Sequence, residues 1–349
     1  MEPCMRAVVL VEPGEVKVQT VPDPEIVDPG DAIVAVHESA ICGADLFPFH
    51  GLTPGFENGT VLGHEFVGEV IATGSGVEQI TTGQRVVATS TISDGTCDHC
   101  RNGRPSQCQQ RRLFGYSGVY PRLDGGQAEL VRVPVADRVL LPLDDAVSDE
   151  AAIFLADILP TAYGALQRAG TGLGDLVVIV GCGPVGLMAT MCAKRLAANV
   201  ISVDTIPDRR EMAERLGART ASPEDSAALV GEFSNGLGAD VVIEAAGSPG
   251  GLTQALRLVR GRGIVSVVGA HFEPDYPLDN GLMFEREISL MFTIGDPFND
   301  RSRLLDLIVN GVLDPTVVVS HRMPLGKAAD AYALFDAQEA TKIILECSS

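Results

Sequence analysis

A glycine-rich turn in the middle of the chain has the residue types and spacing of a dinucleotide site. The turn, Gly181-Cys182-Gly183-Pro184-Val185-Gly186, follows the apolar run Leu176–Val180 and opens a mostly apolar segment that ends at Leu196. Its three glycines would permit a tight turn, let the main chain approach a pyrophosphate, and let the helix pack closely on the strand. The free N–H groups of that helix attract phosphate, and Asp204, at the end of a second run, can accept both ribose hydroxyls. A glycine pattern alone is weak evidence, but strand, turn, helix, strand and acid in this order predict a dinucleotide site.

The elements around this turn predict two domains. Residues 1 to about 156 contain short apolar runs separated by Pro and Gly, such as Ala32–Val36 and Phe66–Ile71, and this pattern is typical of a β-rich domain. From about 158 to 293 strands alternate with helices, which predicts a doubly wound parallel sheet. The α/β chain is therefore expected to have a nucleotide domain, 158–293, inserted into a β-rich domain made of 1–157 and 294–349.

Composition narrows the partners and the compartment. The formal net charge of −20 argues against nucleic acid and anionic membrane surfaces, because both are negatively charged themselves. No apolar run approaches the length of a transmembrane helix, and the first residues lack the basic and apolar regions of a signal peptide. We therefore expect a cytoplasmic protein with reduced cysteines, in which clustered cysteines are more often metal ligands than disulfides.

A second motif lies in the first half of the chain. Gly63-His64-Glu65 is followed by Gly68, Gly74 and Val77, which gives the pattern GHExxGxxxxxGxxV. This pattern resembles the signature of the zinc-containing alcohol dehydrogenases, the zinc branch of the medium-chain dehydrogenase/reductase superfamily. The resemblance covers essentially the whole chain, since the glycine turn lies where that family has its cofactor domain. It implies a GroES-like catalytic domain combined with an inserted Rossmann domain.

The resemblance also implies a catalytic zinc held by Cys42, His64 and Asp157. Glu65 is expected near the metal or as an occasional ligand, and Asp45 matches the position that orients the ligating histidine. Taken singly, the three ligands could be a buried thiol, a core histidine and an acid at a helix start. Thiolate, imidazole and carboxylate are all good zinc ligands, and three protein ligands with one open position are typical of a catalytic site.

A second zinc site is expected at a group of close cysteines. The family's structural zinc lobe has four ligands spaced CxxCxxCx₇C, and this chain matches the last three with Cys97, Cys100 and Cys108. Asp94 stands at the first position, and a carboxylate can ligate zinc. Loss of one thiolate must weaken such a site, so a metal-free lobe that keeps its shape by packing remains an alternative. His99 could replace the fourth ligand, but its place beside Cys100 favours an outward direction.

The implied activity is NAD-dependent oxidation of an alcohol to a ketone or aldehyde. Zinc would lower the pKa of the substrate alcohol, and a hydride would pass to the nicotinamide ring. Asp204 would repel the 2′-phosphate of NADP and so favours NAD, although Arg209 and Arg210 could instead suggest NADP. Arg209 could lie beside the adenine. Thr161 could lie beneath the nicotinamide or be an ordinary residue of a buried turn.

One position departs from the family pattern. The family usually has Ser or Thr two residues after the first zinc cysteine, and that hydroxyl starts a proton relay; this chain has Ala44 there. The next relay position, often His, is Phe47. We therefore hypothesise that the proton leaves through water, by way of Glu65 or His50. A slow enzyme, or one that works mainly in the reductive direction, is the alternative.

The substrate is the least determined feature. The aspartate ligand and the Cys-Gly-x-Asp loop look like the family branches that oxidise secondary alcohols, polyols and sugars. A zinc-free quinone or enone reductase of the same fold should lack the three ligands, and a non-catalytic nucleotide-binding protein would be expected to lose them first. The family usually forms homodimers or homotetramers, and the run Ile288–Ile294 predicts an edge strand that would pair in a dimer.

Overall fold

The computed structural model describes residues 3–196, 199–271, 273 and 275–348. These residues form two compact units: one contains the chain up to Asp157 and from Asp296 onward, and the other is Ile158–Gly295. The predicted boundary after residue 293 falls slightly before this second break. Each unit has its own hydrophobic core.

The first unit is built on a seven-stranded sheet in which Ala32–Ile41 is the most connected strand. It pairs antiparallel with Glu65–Thr73, Leu130–Val133 and Ile343–Glu346. The remaining strands are Arg85–Ala88, Leu140–Pro142 and His321–Pro324, of which only the last pairs parallel to its neighbour. Because Cys42 directly follows Ile41 and His64 directly precedes Glu65, this strand pair brings the two residues to one end of the sheet.

The rest of the first unit consists of a hairpin, a small lobe and short helices. The hairpin joins Cys4–Glu12 to Glu15–Pro22, and in the lobe Thr91–Ile92 pairs with Arg112–Leu113. The α-helices of this unit are Leu46–Phe49, Asp98–Arg101, Ala136–Val139, Asp149–Ala152, Pro297–Val309 and Ala328–Asp336. The last of them contributes the fully buried Tyr332 to the core.

The second unit is a doubly wound parallel sheet, as the alternation of elements predicts. Its six strands lie in the order Arg219–Ala221, Asn199–Val203, Leu176–Val180, Ala239–Glu244, Val259–Val267 and Ser289–Phe292, and all pairs are parallel. The five residues of Leu176–Val180 are all buried, which explains their uninterrupted apolar run. The helices are Ile158–Arg168, Pro184–Leu196, Pro207–Arg215, Pro223–Ser234, Pro249–Leu258 and Asn280–Glu285.

Differences from the predicted elements are mostly at their ends. The run Phe66–Ile71 belongs to a longer strand, Glu65–Thr73, and the predicted edge strand Ile288–Ile294 is shorter, Ser289–Phe292. The sequence analysis did not identify the helix Pro223–Ser234, in which Ser222 caps the N-terminus by accepting the N–H of Asp225. Among the described residues, no helix combines the length and the apolar character needed to cross a membrane.

Candidate active site

Cys42 stands at the end of the central strand of the first unit, in a turn that fixes its direction. The strand Ala32–Ile41 ends one residue before it, and a 3-10 turn, Gly43–Asp45, follows. The main-chain N–H of Cys42 donates to Oδ2 of Asp45 at 2.9 Å, which closes the turn. Cys42 is buried, and burial raises the pKa of its thiol.

His64 is held between two carboxylates at the start of the neighbouring strand. Its Nδ1 lies 3.2 Å from Oδ1 of Asp45, and its Nε2 lies 3.5 Å from Oδ2 of Asp157. Burial opposes the charged form of this histidine, but the nearby Asp45 and Cys42 raise its pKa well above the usual value. With Asp45 on one ring nitrogen, the other faces Asp157.

Asp157 completes this group from a distant part of the chain. It follows the short helical segment Ile153–Leu155, and its Oδ1 accepts the Ser90 hydroxyl at 3.3 Å. Sγ of Cys42 lies 3.9 Å from its Oδ2. Although burial disfavours its charge, the contact with His64 holds the pKa of this carboxyl below the usual value.

The donor set fits a zinc ion. Cys42, His64, Glu65 and Asp157 each offer one ligand atom, and these atoms lie within 4.8 Å of one another. Ligands about 2.0–2.3 Å from a tetrahedral zinc are about 3.3–3.8 Å apart, close to the distances found here. Among the described residues, neither ring nitrogen of His64 has a hydrogen-bond partner although both are buried, and Nε2 is the one that faces Asp157.

Glu65 has a partner that the sequence analysis missed. Nζ of Lys342 lies 2.6 Å from its Oε2, and both side chains are fully buried. Burial opposes the charge of Lys342, but the Glu65 carboxylate raises its pKa, so the lysine is held as a cation. Lys342 stands directly before the apolar residues Ile343–Leu345 of the last strand, and a lysine at such a position carries no sequence signal of this pair.

The second cluster brings together all four predicted residues, Asp94, Cys97, Cys100 and Cys108. Sγ of Cys97 lies 3.4 Å from Sγ of Cys100 and 4.0 Å from Sγ of Cys108. The main-chain N–H of Asp94 donates to Sγ of Cys108 at 3.3 Å, an arrangement that supports a thiolate. The donor set fits zinc in chemistry and spacing. His99 is exposed and is not one of the four.

Asp94 already has one carboxylate oxygen engaged. Its Oδ1 accepts the N–H groups of Thr96 at 2.8 Å and Cys97 at 3.1 Å. These hydrogen bonds lower the pKa of Asp94 to about 2, and the bond from Thr96 has the largest effect. The carboxylate is therefore charged at neutral pH, with its second oxygen free of these two bonds.

The three glycines of the turn in the second unit differ in what surrounds them. Gly181 has φ +94°, and a Cβ on Gly186 would lie 1.8 Å from the carbonyl oxygen of Gly181. A Cβ on Gly183 would meet no atom within 4 Å, so the main chain there borders open space. The helix Pro184–Leu196 begins immediately after it, and Pro184 and Val185 form its first turn.

Asp204 is tied to that turn. Its Oδ2 accepts the N–H of Cys182 at 2.6 Å, and its Oδ1 accepts the N–H of Ile206 at 2.8 Å. Arg210 donates to the carbonyl oxygens of Asp204 and Thr205. Arg209 is half-buried on the following helix, Pro207–Arg215.

Thr161 lies elsewhere in this unit, on the helix Ile158–Arg168. It packs on Gly295, where an added Cβ would come within 2.1 Å of its Oγ1. The glycine is therefore needed at that contact.

Two family models match the chain. The alcohol dehydrogenase GroES-like domain matches residues 28–145, and the zinc-binding dehydrogenase domain matches residues 184–310. Zinc-type alcohol dehydrogenase B of Aspergillus flavus is 36% identical over 98% of this chain and 81% of its own length. The chain belongs to the zinc-containing alcohol dehydrogenase family. It is thus an oxidoreductase of the medium-chain dehydrogenase/reductase superfamily, with the GroES-like and Rossmann folds of that family.

Solved structures agree with this assignment. Alcohol dehydrogenase TADH from Thermus sp. ATN1 has a TM-score of 0.94 and 39% identity, over 98% of this chain and 99% of its own. A chain from Sinorhizobium meliloti 1021 bound to NADP has a TM-score of 0.87 and 29% identity, over 99% and 100%. An alcohol dehydrogenase from E. coli CFT073 complexed with NADH has a TM-score of 0.87 and 25% identity, over 98% and 99%. The family and these cofactor-bound structures therefore support zinc and a nicotinamide cofactor for this chain.

Sorbitol dehydrogenase of Bacillus subtilis is 31% identical over 94% of this chain and 92% of its own length.

Proposed function

We propose that the chain is an NAD-dependent zinc alcohol dehydrogenase that converts a secondary alcohol, polyol or sugar-like alcohol into the ketone or aldehyde. The observation that carries the proposal is the convergence of Cys42, His64 and Asp157 from three separate parts of the chain, with Cys42 and His64 buried and Asp157 half-buried. A protein that kept only the fold for binding or structure would have no need of this donor set.

The residues of the first unit would have different roles at the metal. Zinc held by Cys42, His64 and Asp157 would supply a Lewis acid that acidifies a substrate hydroxyl. Asp45 holds His64 through Nδ1, which leaves Nε2 free as a ligand. The burial of Cys42 and His64 keeps water from their side of the site, which strengthens electrostatic interactions there.

The second unit would bind the cofactor. NAD would supply the hydride acceptor. Gly183 and the first turn of the helix Pro184–Leu196 offer the open main chain for its pyrophosphate, and the Asp204 carboxylate supports NAD over NADP by charge. The relative bound to NADP makes this preference the first point to measure.

A screen of NAD⁺ reduction against alcohols, polyols, sugars and aldehydes tests the function. We expect turnover with secondary alcohols or polyols, in line with the identity to a sorbitol dehydrogenase. The matched control is Cys42→Ala, which removes one proposed ligand. A purified chain that holds no zinc and reduces no substrate would favour a zinc-free quinone or enone reductase, or a non-catalytic nucleotide-binding protein.

Cofactor choice is tested by comparing kcat/KM for NAD⁺ and NADP⁺. The wild type should prefer NAD⁺ by about tenfold or more, a difference of about 1.4 kcal/mol. Asp204→Asn removes the charge and keeps the size, so this preference should shrink. Equal or better use of NADP⁺ by the wild type would contradict the assignment.

The route of the substrate proton is a separate proposal, through water and Glu65 or His50. Ala44 and Phe47 supply no hydroxyl or imidazole for the usual relay. In the structure Glu65 is paired with Lys342, and Nε2 of His50 lies 2.8 Å from Asp336 near the surface. The pH dependence of turnover in Ala44→Ser and Glu65→Gln tests the route, and an unchanged profile in both would exclude it.

We also propose a homodimer or homotetramer. Ser289–Phe292 is an edge strand of the parallel sheet, and the side chains of Phe292 and Ile294 are 60% and 56% exposed. An apolar edge of this kind is a template for pairing with a second copy. Light scattering should give a multiple of the chain mass for the wild type and a smaller species for Phe292→Glu.

A further inference from the structure

The carboxylate of Asp45 has a further partner besides Cys42 and His64. Its Oδ2 accepts the amide of Gln127 through Nε2 at 3.3 Å, in addition to the N–H of Cys42 at 2.9 Å. Oε1 of Gln127 in turn accepts the hydroxyl of Tyr332 at 2.9 Å. Asp45, Gln127 and Tyr332 are all fully buried. A chain of three buried polar side chains therefore runs from a C-terminal helix to His64.

The direction of the Gln127 amide follows from its surroundings. Its Nε2 lies between two acceptors, the Asp45 carboxylate and the carbonyl oxygen of Ala40, each at 3.3 Å. A flipped amide would place Oε1 against both acceptors, which is repulsive in a buried site. The Tyr332 hydroxyl donates to Oε1 and so selects the orientation that serves Asp45. Burial raises the pKa of Tyr332 well above its usual value, so this donor keeps its proton.

The main chain of Gln127 is anchored to the segment that carries His64. Its N–H donates to the carbonyl oxygen of Leu62 at 2.9 Å, and the N–H of Gly126 donates to that of Gly63 at 2.9 Å. A Cβ on Gly63 would lie 2.4 Å from Cγ of Gln127, so the side chain fills the space that this glycine leaves. Gln127 thus contacts the loop before His64 and also the carboxylate that holds His64.

We propose that Gln127 and Tyr332 are positioning residues for the metal centre: Tyr332 fixes the Gln127 amide, and Gln127 fixes Asp45 against Cys42 and His64. This inference rests on the proposed role of Cys42 and His64 as metal ligands. Neither residue touches the ligand atoms themselves, so each acts through Asp45. The expected result of losing either is a looser metal site without loss of the fold.

The test is the rate of zinc release from the full-length protein to a chromophoric chelator, without substrate or cofactor. Zinc from the two clusters should be released in separate kinetic phases. The phase that is absent in Cys42→Ala belongs to the cluster of Cys42, His64 and Asp157. Asp45→Asn should speed it by about 10- to 100-fold, as is typical when the partner of a metal-bound histidine is lost. Tyr332→Phe and Gln127→Met act one contact further away, and each should speed it by about three- to tenfold.

Two comparisons separate positioning from a general structural role. Tyr276→Phe removes a hydroxyl that lies 2.8 Å from Oγ1 of Thr253 in the other unit, and zinc release should be unchanged. The double variant Gln127→Met/Tyr332→Phe should release zinc no faster than Gln127→Met alone, because both changes act through one amide. Co²⁺-substituted protein gives a second readout, since its visible bands should shift in Tyr332→Phe.

A lower melting temperature with wild-type zinc release and Co²⁺ bands in both single variants would overturn the proposal. The proposal would also be overturned if the increase in the zinc-release rate of the double variant were the product of the increases in the two single variants. These readouts require no turnover, so a chain that behaves as expected here but reduces no NAD⁺ would refute the proposed function and leave this inference standing.

Discussion

The two metal-ligand clusters are built in different ways. Cys42, His64 and Asp157 come from distant parts of the chain and are brought together by the central sheet of the first unit. The other cluster, Asp94, Cys97, Cys100 and Cys108, lies within one short lobe. Between 93 and 111, the apolar side chains that are buried belong to Cys100, Pro105 and Cys108, so this segment has little core apart from its ligands.

This difference indicates what each metal would do. The first cluster is held by a large core and by buried polar partners, so its geometry should survive without metal and be available for chemistry. The lobe depends on turns and on N–H···S hydrogen bonds to Cys108, so metal there should be part of what folds it. We therefore expect catalysis at the first cluster and a local structural role at the second.

The largest expected effect is on activity at the buried cluster. Cys42→Ala removes a proposed ligand, and a metal that contributes several kcal/mol to the transition state implies a loss of about 1,000-fold in kcat/KM. The melting temperature should change little, because the sheet that surrounds Cys42 does not need the metal. Steady-state kinetics and calorimetry on the same preparation check both parts. Substantial remaining turnover would remove the basis of the assignment.

The next effect concerns the support of the buried cluster. Lys342→Met leaves Glu65 as an unpaired buried charge, and breaking such a pair costs about 3–5 kcal/mol of unfolding free energy. The double variant Glu65→Gln/Lys342→Met should recover most of this loss. Urea denaturation measures it, with Lys327→Met as the control. Lys327 and Asp330 are both 63% exposed, so that pair should contribute only about 0–1 kcal/mol. Similar losses at the two lysines would contradict this view of the pair.

A change in the lobe should affect local stability and leave activity nearly unchanged, the reverse of what is expected for Cys42→Ala. Cys108→Ser removes a proposed ligand and the sulfur that accepts two N–H groups, and should make the segment 93–111 a site of early protease cleavage. Turnover per intact chain should stay within about threefold, because the cluster of Cys42, His64 and Asp157 has its own support. Mass spectrometry of the fragments locates the cut. Loss of activity before any cleavage would show that the two clusters are coupled.

The smallest effect tests the unusual ligand of the lobe. Asp94→Cys restores the fourth thiolate of the family pattern, and a softer ligand should tighten zinc by about tenfold in a chelator competition. Asp94 also accepts the N–H groups of Thr96 and Cys97, which a cysteine cannot replace well. Faster zinc release from Asp94→Cys would therefore mean that the carboxylate serves the turn rather than the metal.

The sequence was informative where short-range spacing determines structure. The glycine turn, the doubly wound sheet and the family were predicted, because strand, turn and helix follow one another along the chain. Lys342, Gln127 and Tyr332 were not predicted as partners of the site. Each meets its partner only through the folding of distant segments, and a lone Gln or Tyr has no local pattern to mark such a contact.

The most direct test counts metal and activity together in one set of chains. Native mass spectrometry should find about two zinc ions in the wild type and about one in Cys42→Ala, which should also fail to reduce NAD⁺. Cys108→Ser should likewise hold about one zinc ion but keep its turnover. The account would be contradicted if Cys42→Ala kept both ions and its activity, or if Cys108→Ser were the variant that lost turnover.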